Sequence, residues 1–445
     1  MITGMNILSV CEYLKNKLNV DIKGDYYGSI SQWEDWYKGY YKPFHHYTDY
    51  NGRETVQLDR YSLKMAKKVC EDWANMLLNE ETMVVLENKE AQKFVDGVFE
   101  RNDFFANANT LIEKTFALGT GAIAVRLNNY KVCLEYITAD CIIPISYDNR
   151  SITEVAFVSE HTYKGKPYIY LETHLKNQQG NYVIRNEYLD SNFNRVKTDN
   201  KTVAEYDTKS PVPWFVILKP NITNNVDLNS PMGISVYANS TDVLKGVDLA
   251  YDNLCTDFFL GGKMVLMNES IIAKEQGGNR VVPQHSKKRL FMSMGDSVID
   301  GKMYEEYNPQ LRVDENVKGV QSQLNYLSSK CGLGERYYSF EFDRQTTATE
   351  IVFDNATLFR NVKKHEKVIA QAIKGLVKCI LMLGGFDEEQ KISVVFDDSI
   401  IEDKAKMRAQ DRLDIENGIM QKWEYRMKYY GENEETAKKN ITDGR

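Results

Sequence analysis

Apolar residues recur at helical spacing on both sides of a short break in the last third of the chain. One stripe repeats every three or four residues at Val313, Val317, Val320, Leu324 and Leu327. This spacing places all five on one helix face and predicts a helix over 311–330. Cys331-Gly332-Leu333-Gly334 then supplies two glycines suited to a helix end. Residues 335–346 are polar and aromatic and predict an exposed loop.

A second, longer helix is predicted after this loop. Thr347-Ala348-Thr349-Glu350 has the spacing of a capping box, in which Thr347 and Glu350 satisfy each other's backbone amides. From there to Leu383 only Gly375 interrupts the pattern, so a helix of about 36 residues and roughly 50 Å is expected. A strand over 392–396 follows, and then a highly charged helical segment to about residue 430 and the start of a last helix near 432.

The first 230 residues predict helices followed by short strands. Helices are expected at 6–18, 58–78, 90–101 and 104–118, with a strand at 83–86. The region 19–57 is rich in aromatic residues and contains His45-His46. Adjacent histidines diverge and lack a further ligand here, so packing of an extended surface arm is favoured over a metal site. Further strands are expected at 123–127, 132–137, 141–145, 155–160, 168–173, 182–188 and 214–218.

Gly119-Thr120-Gly121 invites comparison with a phosphate-binding loop. The order here is helix and then strand, and no lysine follows, whereas a P-loop needs a lysine between a strand and a helix. Gly119 is therefore interpreted as a helix C-terminal glycine and Gly121 as a tight turn. His161 and His174, at strand ends, are interpreted as half-buried sheet residues rather than bases.

A helix over 234–260 is expected next, followed by a small unit at 261–310. The apolar stripe of this helix is accompanied by four aspartates, which suggest either carboxylate chemistry or a solvated face; their dispersed positions favour the solvated face. These aspartates are Asp242, Asp248, Asp252 and Asp257. The small unit contains a strand at 263–267 and the basic cluster Lys287, Lys288 and Arg289, which fits a contact with DNA or an acidic partner as well as a solubilising turn.

The amino-acid sequence at these junctions resembles that of the portal proteins of tailed bacteriophages, in particular those of long-tailed phages of Gram-positive bacteria. The resemblance covers most of the chain in order and is most specific over residues 332–366. It rests on Gly332-Leu333-Gly334, the Tyr-Ser-Phe-Glu-Phe run at 338–342, Thr347–Val352 and Arg360–His365. It extends to Trp73–Glu80 with the strand at 83–86, the helix at 234–260 and Asp397–Asp403.

The resemblance implies an α+β portal-type fold with a wing, a two-helix stem, a small clip, a tunnel loop with a long wing helix, and a helical C-terminal crown. The implied divisions are 1–230 wing, 231–261 stem helix 1, 262–310 clip, 311–333 stem helix 2, 334–347 tunnel loop, 348–396 long wing helix and return strand, and 397–445 crown. The tunnel-loop residues implied to line a DNA channel are Glu335, Arg336, Tyr337, Tyr338, Phe340, Phe342, Arg344, Gln345 and Thr346.

Composition is that of a globular protein without a strongly basic surface. The 445 residues carry a net charge of −7 and a pI near 5.6. This balance argues against a protein that grips DNA tightly and is compatible with a conduit whose lining repels phosphates. The seven scattered cysteines include no Cys-x-x-Cys and are expected to be reduced. No apolar run is long enough for a membrane span, and the first residues lack the features of a secretory signal.

Three functions are compatible with these observations. The first, which the resemblance implies, is a portal: a homo-oligomeric ring of about twelve subunits at one capsid vertex, through which double-stranded DNA is packaged and ejected. The implied partners are the terminase large subunit, a head–tail adaptor, and the major capsid and scaffolding proteins, with assembly in the host cytoplasm and no membrane. The second is a soluble cytoplasmic α+β enzyme with a site in 120–220, and the third is another phage head or connector protein.

The sequence contains no motif that favours the enzyme. No nucleophile elbow, zinc-protease motif or nucleotide-binding signature occurs, so no catalytic residue, metal or cofactor is expected. Residues 234–383 are expected to form a helix, a small unit, a second helix, a loop and a third helix. This succession is longer than an adaptor needs, which disfavours the third function. ATP-driven force is accordingly expected from a separate terminase.

Overall fold

A computed structural model describes residues 7–22, 24, 26–50, 54–78, 82–163, 165–196, 202–267, 273–274, 280–281, 291–293, 304–340, 348–396, 411–430 and 434–442. The helices are α1 (Ile7–Leu18), α2 (Tyr26–Lys38), α3 (Lys42–His45), α4 (Met65–Leu77), α5 (Lys89–Arg101), α6 (Phe104–Leu118), α7 (Thr241–Leu260), α8 (Val313–Lys330) and α9 (Ala348–Leu383), with Lys422–Tyr430 and Glu434–Thr442 near the C-terminus.

The strands form several small sheets. They are β1 (His46–Tyr50), β2 (Thr55–Asp59), β3 (Met83–Leu86), β4 (Gly121–Asn128), β5 (Lys131–Thr138), β6 (Ile142–Asp148), β7 (Ser151–Tyr163), β8 (Lys166–Lys176), β9 (Tyr182–Leu189), β10 (Glu205–Asp207), β11 (Phe215–Leu218), β12 (Met264–Met267), β13 (Ala273–Lys274), β14 (Arg280–Val281), β15 (Phe291–Ser293), β16 (Tyr304–Tyr307) and β17 (Ile392–Val395). The protein is therefore a mixed helix-and-strand structure, as expected.

Two antiparallel sheets make up the β-rich region. One has the order β10-β9-β8-β7-β6 and the other the order β11-β4-β5. β3 pairs with β17 across more than 300 residues of sequence, with Ile392 opposite Leu86. In the small unit between α7 and α8, β12 pairs in parallel with β15 and antiparallel with β16.

The core forms where α4, α6 and α9 meet. The buried side chains of α9 are spaced at helical intervals and include Val362, Ile369, Ile373, Leu376 and Ile380. Burying a large apolar side chain contributes about 1.5–3 kcal/mol, so this face fixes α9 to the rest of the chain. Trp73 of α4 and Phe116 of α6 are also fully buried and stack on each other at 5.8 Å. α9 thus reaches from the core to the segment that follows α8.

The aromatic-rich region near the N-terminus is helical and buried, which corrects the expected extended surface arm. α2 buries Trp33 and Trp36, and His45 has no exposed surface. The helix expected from residue 58 begins instead at Met65, because residues 55–59 form β2 paired with β1. Trp33 and Trp36 therefore serve the core, whereas Tyr40 and Tyr50 are exposed.

The helix expected from residue 234 begins at Thr241. Residues 232–237 cross the end of α6 as a buried segment outside the regular helices and strands, where Val236 N donates to Phe116 O at 2.9 Å. Gly119 ends α6 with φ +86°, as expected. A Cβ on Gly119 would lie 2.3 Å from Gly233 O, so the two backbones can approach only because both residues are glycine.

Gly121 does not form the expected tight turn. It is the first residue of β4, and a Cβ there would lie 2.1 Å from Thr115 Oγ1. The glycine therefore permits close packing of the strand on α6.

Candidate functional site

α7 and α8 pack side by side and carry the small unit at one end. Asp257 of α7 accepts hydrogen bonds from Arg312 at 2.9 Å and from Asn316 at 2.7 Å. The Arg312 guanidinium, with Asn316, lowers the pKa of the Asp257 carboxyl. At the middle of the pair Gly246 faces Gln323, with the position of a Cβ only 2.6 Å from Gln323 Oε1. These contacts hold the two helices at a fixed separation.

The end of α8 is a well-formed Schellman turn. Leu333 N donates to Ser328 O at 2.9 Å, and Gly332 N donates to Ser329 O at 3.2 Å. Gly332 has φ +82°, a left-handed conformation that favours glycine. The sequence prediction of a glycine-ended helix at 331–334 is therefore correct in position and in cause. The chain leaves α8 in one defined direction.

Residues that follow this turn are tied to two helices, α4 and α8. Tyr338 is 8% exposed, and its hydroxyl donates to Asp72 Oδ2 of α4 at 2.9 Å. Gln321 of α8 donates through Nε2 to Tyr338 O at 2.9 Å and accepts at Oε1 from Phe340 N at 2.7 Å. The side-chain amide thus replaces the backbone partners that a sheet would have provided. The first part of the segment is anchored and not simply an exposed loop.

Electrostatics at this anchor keep the tyrosine protonated and the carboxylate paired. Burial, and then the charge of Asp72, raise the pKa of Tyr338 well above its ordinary value. The same two causes raise the pKa of Tyr337 to about 12. Lys68 lies one helical turn from Asp72 on α4 and forms an ion pair with it at 2.5 Å. Tyr338 therefore acts as a neutral hydrogen-bond donor throughout the physiological pH range.

α9 is fixed to the same junction. Asn361 Nδ2 donates to Gly332 O at 2.8 Å, and Trp73 Nε1 donates to Cys331 O at 3.1 Å. These two bonds satisfy carbonyls at the end of α8 that the helix itself leaves unpaired. Cys331 is itself buried, and burial raises the pKa of its thiol to about 12, so it is an inert packing residue.

His365 connects α9 with the segment that precedes α7. Its ring is buried between Trp73 and Phe116, with centroids at 4.8 Å and 5.0 Å. Asn221 N donates to His365 Nδ1 at 3.0 Å, which requires that nitrogen to be unprotonated. Burial, and then the nearby Lys364, lower the pKa of His365 to about 3. The imidazole is a neutral structural acceptor.

The structure describes only part of the predicted site. Glu335 and Tyr337 are exposed, Arg336 and Phe340 are half-buried, and Tyr338 is buried. The remaining loop residues, Phe342, Arg344, Gln345 and Thr346, lie outside the described residues. So does the basic cluster Lys287, Lys288 and Arg289, together with Thr347 of the expected capping box.

The sequence reasoning missed a buried pair between an N-terminal helix and α7. Asp248, expected on a solvated face, is 4% exposed; it accepts from His45 Nε2 at 3.0 Å and from Leu63 N at 2.9 Å. His45 was expected to be a surface residue. The two residues are 203 positions apart, so no local pattern could have joined them.

A second buried cluster links β4 with β8. Glu172 accepts from His174 and from Tyr170, and Arg126 forms an ion pair with Glu172 at 2.8 Å and another with Glu135. Burial alone would raise the pKa of Glu172, but the His174 bond, Arg126 and Tyr170 outweigh it and lower the pKa to about 2. His174 is fully buried rather than half-buried, whereas His161 is exposed. The cluster is a closed ion-pair network between two sheets.

Two general properties were examined over the described residues. Within these ranges no group of three or more His, Cys, Asp or Glu side chains is arranged to hold a metal ion. No helix in the described part of the chain is long and apolar enough to cross a membrane.

The geometry defines a structural α+β protein in which a helix pair and a long third helix hold the two ends of a short connecting segment. A family model described as phage portal protein, SPP1 Gp6-like, matches residues 20–411, which is most of the chain. The chain belongs to this family of phage portal proteins, and the resemblance found in the sequence is confirmed. It accordingly has a portal or connector role in a phage particle.

Other comparisons were made with curated proteins and solved structures. No curated protein matches the chain. One solved structure to which the chain is similar is described as the neck of a native GTA particle computed with C12 symmetry. The identity is 11%, the match covers 81% of this chain and 88% of that chain, and the TM-score is 0.44.

Proposed function

We propose that copies of this chain form a closed ring of about twelve subunits at one capsid vertex, and that double-stranded DNA is packaged and ejected through its central channel. The observation that supports this proposal best is the junction between α8 and α9. Its base is fixed by Asp72, Gln321 and Asn361, so that the described end of this segment, up to Phe340, is a rigid support. Such a support suits a segment that must meet moving DNA without being displaced.

The proposed divisions follow the expectation from the sequence. Residues 1–230 and 348–396 form the wing, α7 and α8 the stem, 262–310 the clip, 334–347 the tunnel loop and 397–445 the crown. The clip would dock the terminase large subunit and later a head–tail adaptor, while capsid and scaffolding proteins would contact the wing. The basic cluster at 287–289 remains a prediction: a contact with DNA or an acidic partner, or a solubilising turn.

Exposed apolar residues at the small-unit end of the α7–α8 pair support contacts between copies. Phe258, Phe259 and Leu260 of α7 are each more than half exposed, and Tyr304 of β16 is exposed as well. A contiguous apolar surface of this kind is typical of protein contacts. In a ring, each copy would present this surface to a neighbour through a heterologous interface.

Within the tunnel loop, two groups of residues are proposed to have different tasks. Tyr338 is buried, so it braces the base of the loop, and Tyr337, Phe340 and Phe342 are proposed to brace it or pack on neighbours. Arg336, Arg344 and Gln345 would meet phosphates. Contacts with the duplex must be weak and replaceable, because tight phosphate binding would stall translocation.

Packaging assays with Arg344→Ala and Arg336→Ala test the loop assignment. We expect shorter packaged DNA in both variants while rings still assemble, because each substitution removes one charge and keeps the residues that form the hydrogen bonds of Tyr338 with Asp72 and Gln321. Arg101→Ala, an exposed arginine at the end of α5, is the matched control. Normal packaging in both loop variants would remove these side chains from the proposal.

We propose no catalytic activity for the chain itself. The force for packaging would come from the terminase, and hydrolysis of ATP by the purified protein alone would contradict this. The alternative of an enzyme with a site in 120–220 predicts a compact monomer or dimer. Native mass measurement separates the two.

A further inference from the structure

One side of α9 carries a row of basic residues. Arg360, Lys364, Lys367 and Lys374 are exposed, and the half-buried Lys378 continues the same line. At about 100° per residue these five positions fall within an arc of roughly 80°, and they extend over about 27 Å of helix. The opposite side of the helix is the apolar face that packs on the core. The row is therefore a continuous strip on a helix whose orientation is fixed.

This strip is largely uncompensated within the chain. Lys378 forms an ion pair with Glu389 at 2.9 Å. Glu366, the one acidic residue between 360 and 383, is buried and forms an ion pair with Lys363 at 3.1 Å. Arg360, Lys364, Lys367 and Lys374 have no ion pair among the residues that the structure describes. Four neighbouring cations that repel each other are unusual for a helix face that has only to be solvated, because such faces usually mix both signs.

No described helix of a second copy offers a matching row of four unpaired carboxylates. Among the described helices only α7 contains four acidic residues, and each of them is engaged. Their partners are Lys245 for Asp242, His45 for Asp248, Tyr61 N for Asp252 and Arg312 for Asp257. Charge complementarity therefore favours a polyanion with regularly spaced charges over a helix of a second copy.

Duplex DNA has the required spacing. Each strand carries a phosphate about every 3.4 Å, so that about 27 Å of helix can lie beside roughly eight phosphates. We propose that this basic row of α9 binds the phosphate backbone of double-stranded DNA, as a contact separate from residues 335–346. The proposal rests on the proposed function in one respect: the ring is what brings DNA to this protein.

Binding by such a row has a definite signature. Lysines on a helix face present point charges without a pattern that reads base edges, so the contact should be independent of sequence. If the four exposed cations neutralise about four phosphates, the logarithm of affinity should fall with the logarithm of salt with a slope of about −3.6. Weak binding of this kind permits DNA to slide along the protein.

The test uses the full chain and a fluorescent duplex of about 30 base pairs and random sequence, with anisotropy measured from about 50 to 200 mM salt. The variant is Lys364→Gln/Lys367→Gln/Lys374→Gln. The charge-matched control is Lys89→Gln/Lys93→Gln/Lys114→Gln, which removes three exposed lysines of α5 and α6. We expect the variant to lose at least tenfold in affinity at low salt and about 2 to 3 in salt slope, and the control to bind nearly as the wild type does.

Three outcomes would overturn the proposal: unchanged binding by the variant, an equal loss in the control, or altered assembly of the variant without a change in DNA affinity. The last outcome would assign the row to a neighbouring copy. Particle images separate this inference from the proposed function. If the variant forms rings and binds DNA as the wild type does, only the proposal for the basic row is rejected. If the chain forms no rings but its DNA binding depends on the basic row, the proposal for the row is supported and the portal ring is rejected.

Discussion

Replacing Tyr338 with phenylalanine isolates the anchor at the base of the segment between α8 and α9. The substitution removes one hydroxyl, which donates to Asp72 Oδ2 at 2.9 Å, and keeps a ring that is 8% exposed. The carboxylate loses a charge-assisted hydrogen bond but keeps its ion pair with Lys68. The change therefore weakens the anchor without leaving an isolated buried charge.

The size of the effect follows from these contacts. A hydrogen bond to a charged group contributes about 1.5–3 kcal/mol. Because Lys68 still compensates Asp72, we expect a loss in the lower half of that range, about 2 kcal/mol. This loss corresponds to a roughly thirtyfold increase in the equilibrium constant for local opening of the segment.

Hydrogen exchange of the backbone amides of Tyr338 and Phe340 measures this opening directly. Those amides donate to Ser328 Oγ at 3.4 Å and to Gln321 Oε1 at 2.7 Å, so they are protected only while the segment is docked. Tyr337→Phe is the matched control, since this ring is 39% exposed and its hydroxyl makes no hydrogen bond among the described residues. Unchanged exchange in Tyr338→Phe, or equal acceleration in the control, would refute the assignment of Tyr338 as the anchor.

Three further predictions concern the surrounding structure. Gly332→Ala should destabilise the chain by about 1–2 kcal/mol because Gly332 has φ +82°. Gly319 lies in the exposed interior of α8 with open space around it, so Gly319→Ala should stabilise the chain by about 0.5–1 kcal/mol. Denaturant unfolding distinguishes the two signs. The pKa of His365 is lowered to about 3 in the folded chain, whereas in the unfolded chain it is about 6.5. Below about pH 6.5 the unfolded chain therefore binds a proton that the folded chain does not, and the free energy of unfolding decreases as the pH falls. Relative to His365→Gln, the wild type should lose about 2 kcal/mol between pH 7 and pH 5, and parallel pH curves for the two proteins would contradict this. Arg126→Gln should cost about 3 kcal/mol by leaving Glu172 undercompensated, and Arg126→Gln/Glu172→Gln should cost less; an equal loss would show that the two residues are not coupled.

The elements predicted well are those specified by local periodicity. The sequence predicts α8 from a stripe repeated every three or four residues and β7 to β9 from alternation between turns. It predicts α9 from a capping-box spacing followed by a long run without a strong breaker other than Gly375. The end of α8 was also predictable, because the left-handed backbone conformation that ends the helix at position 332 favours glycine. For these elements the sequence alone carries the physical cause.

Errors arose where tertiary contacts override a local pattern. Residues 234–240 have helical spacing, but α7 begins only at Thr241. Residues 234–237 belong to a buried segment that Gly119 and Gly233 let cross the end of α6, and residues 238–240 form a short 3-10 helix. The pair His45–Asp248 joins residues far apart in sequence, and the anchor of Tyr338 on Asp72 spans 266 positions. Such partners are decided by the packing of α4, α7 and α9, which no single stretch of sequence contains.

The central claim is that many copies surround an axis and that each contributes residues 335–346 to the opening. Cryo-electron microscopy of the purified, assembled protein tests it most directly. The account predicts closed rings with a central hole, and density for this segment at the narrowest part of the hole. Compact monomers or dimers, or rings in which residues 335–346 lie on the outer rim, would contradict it.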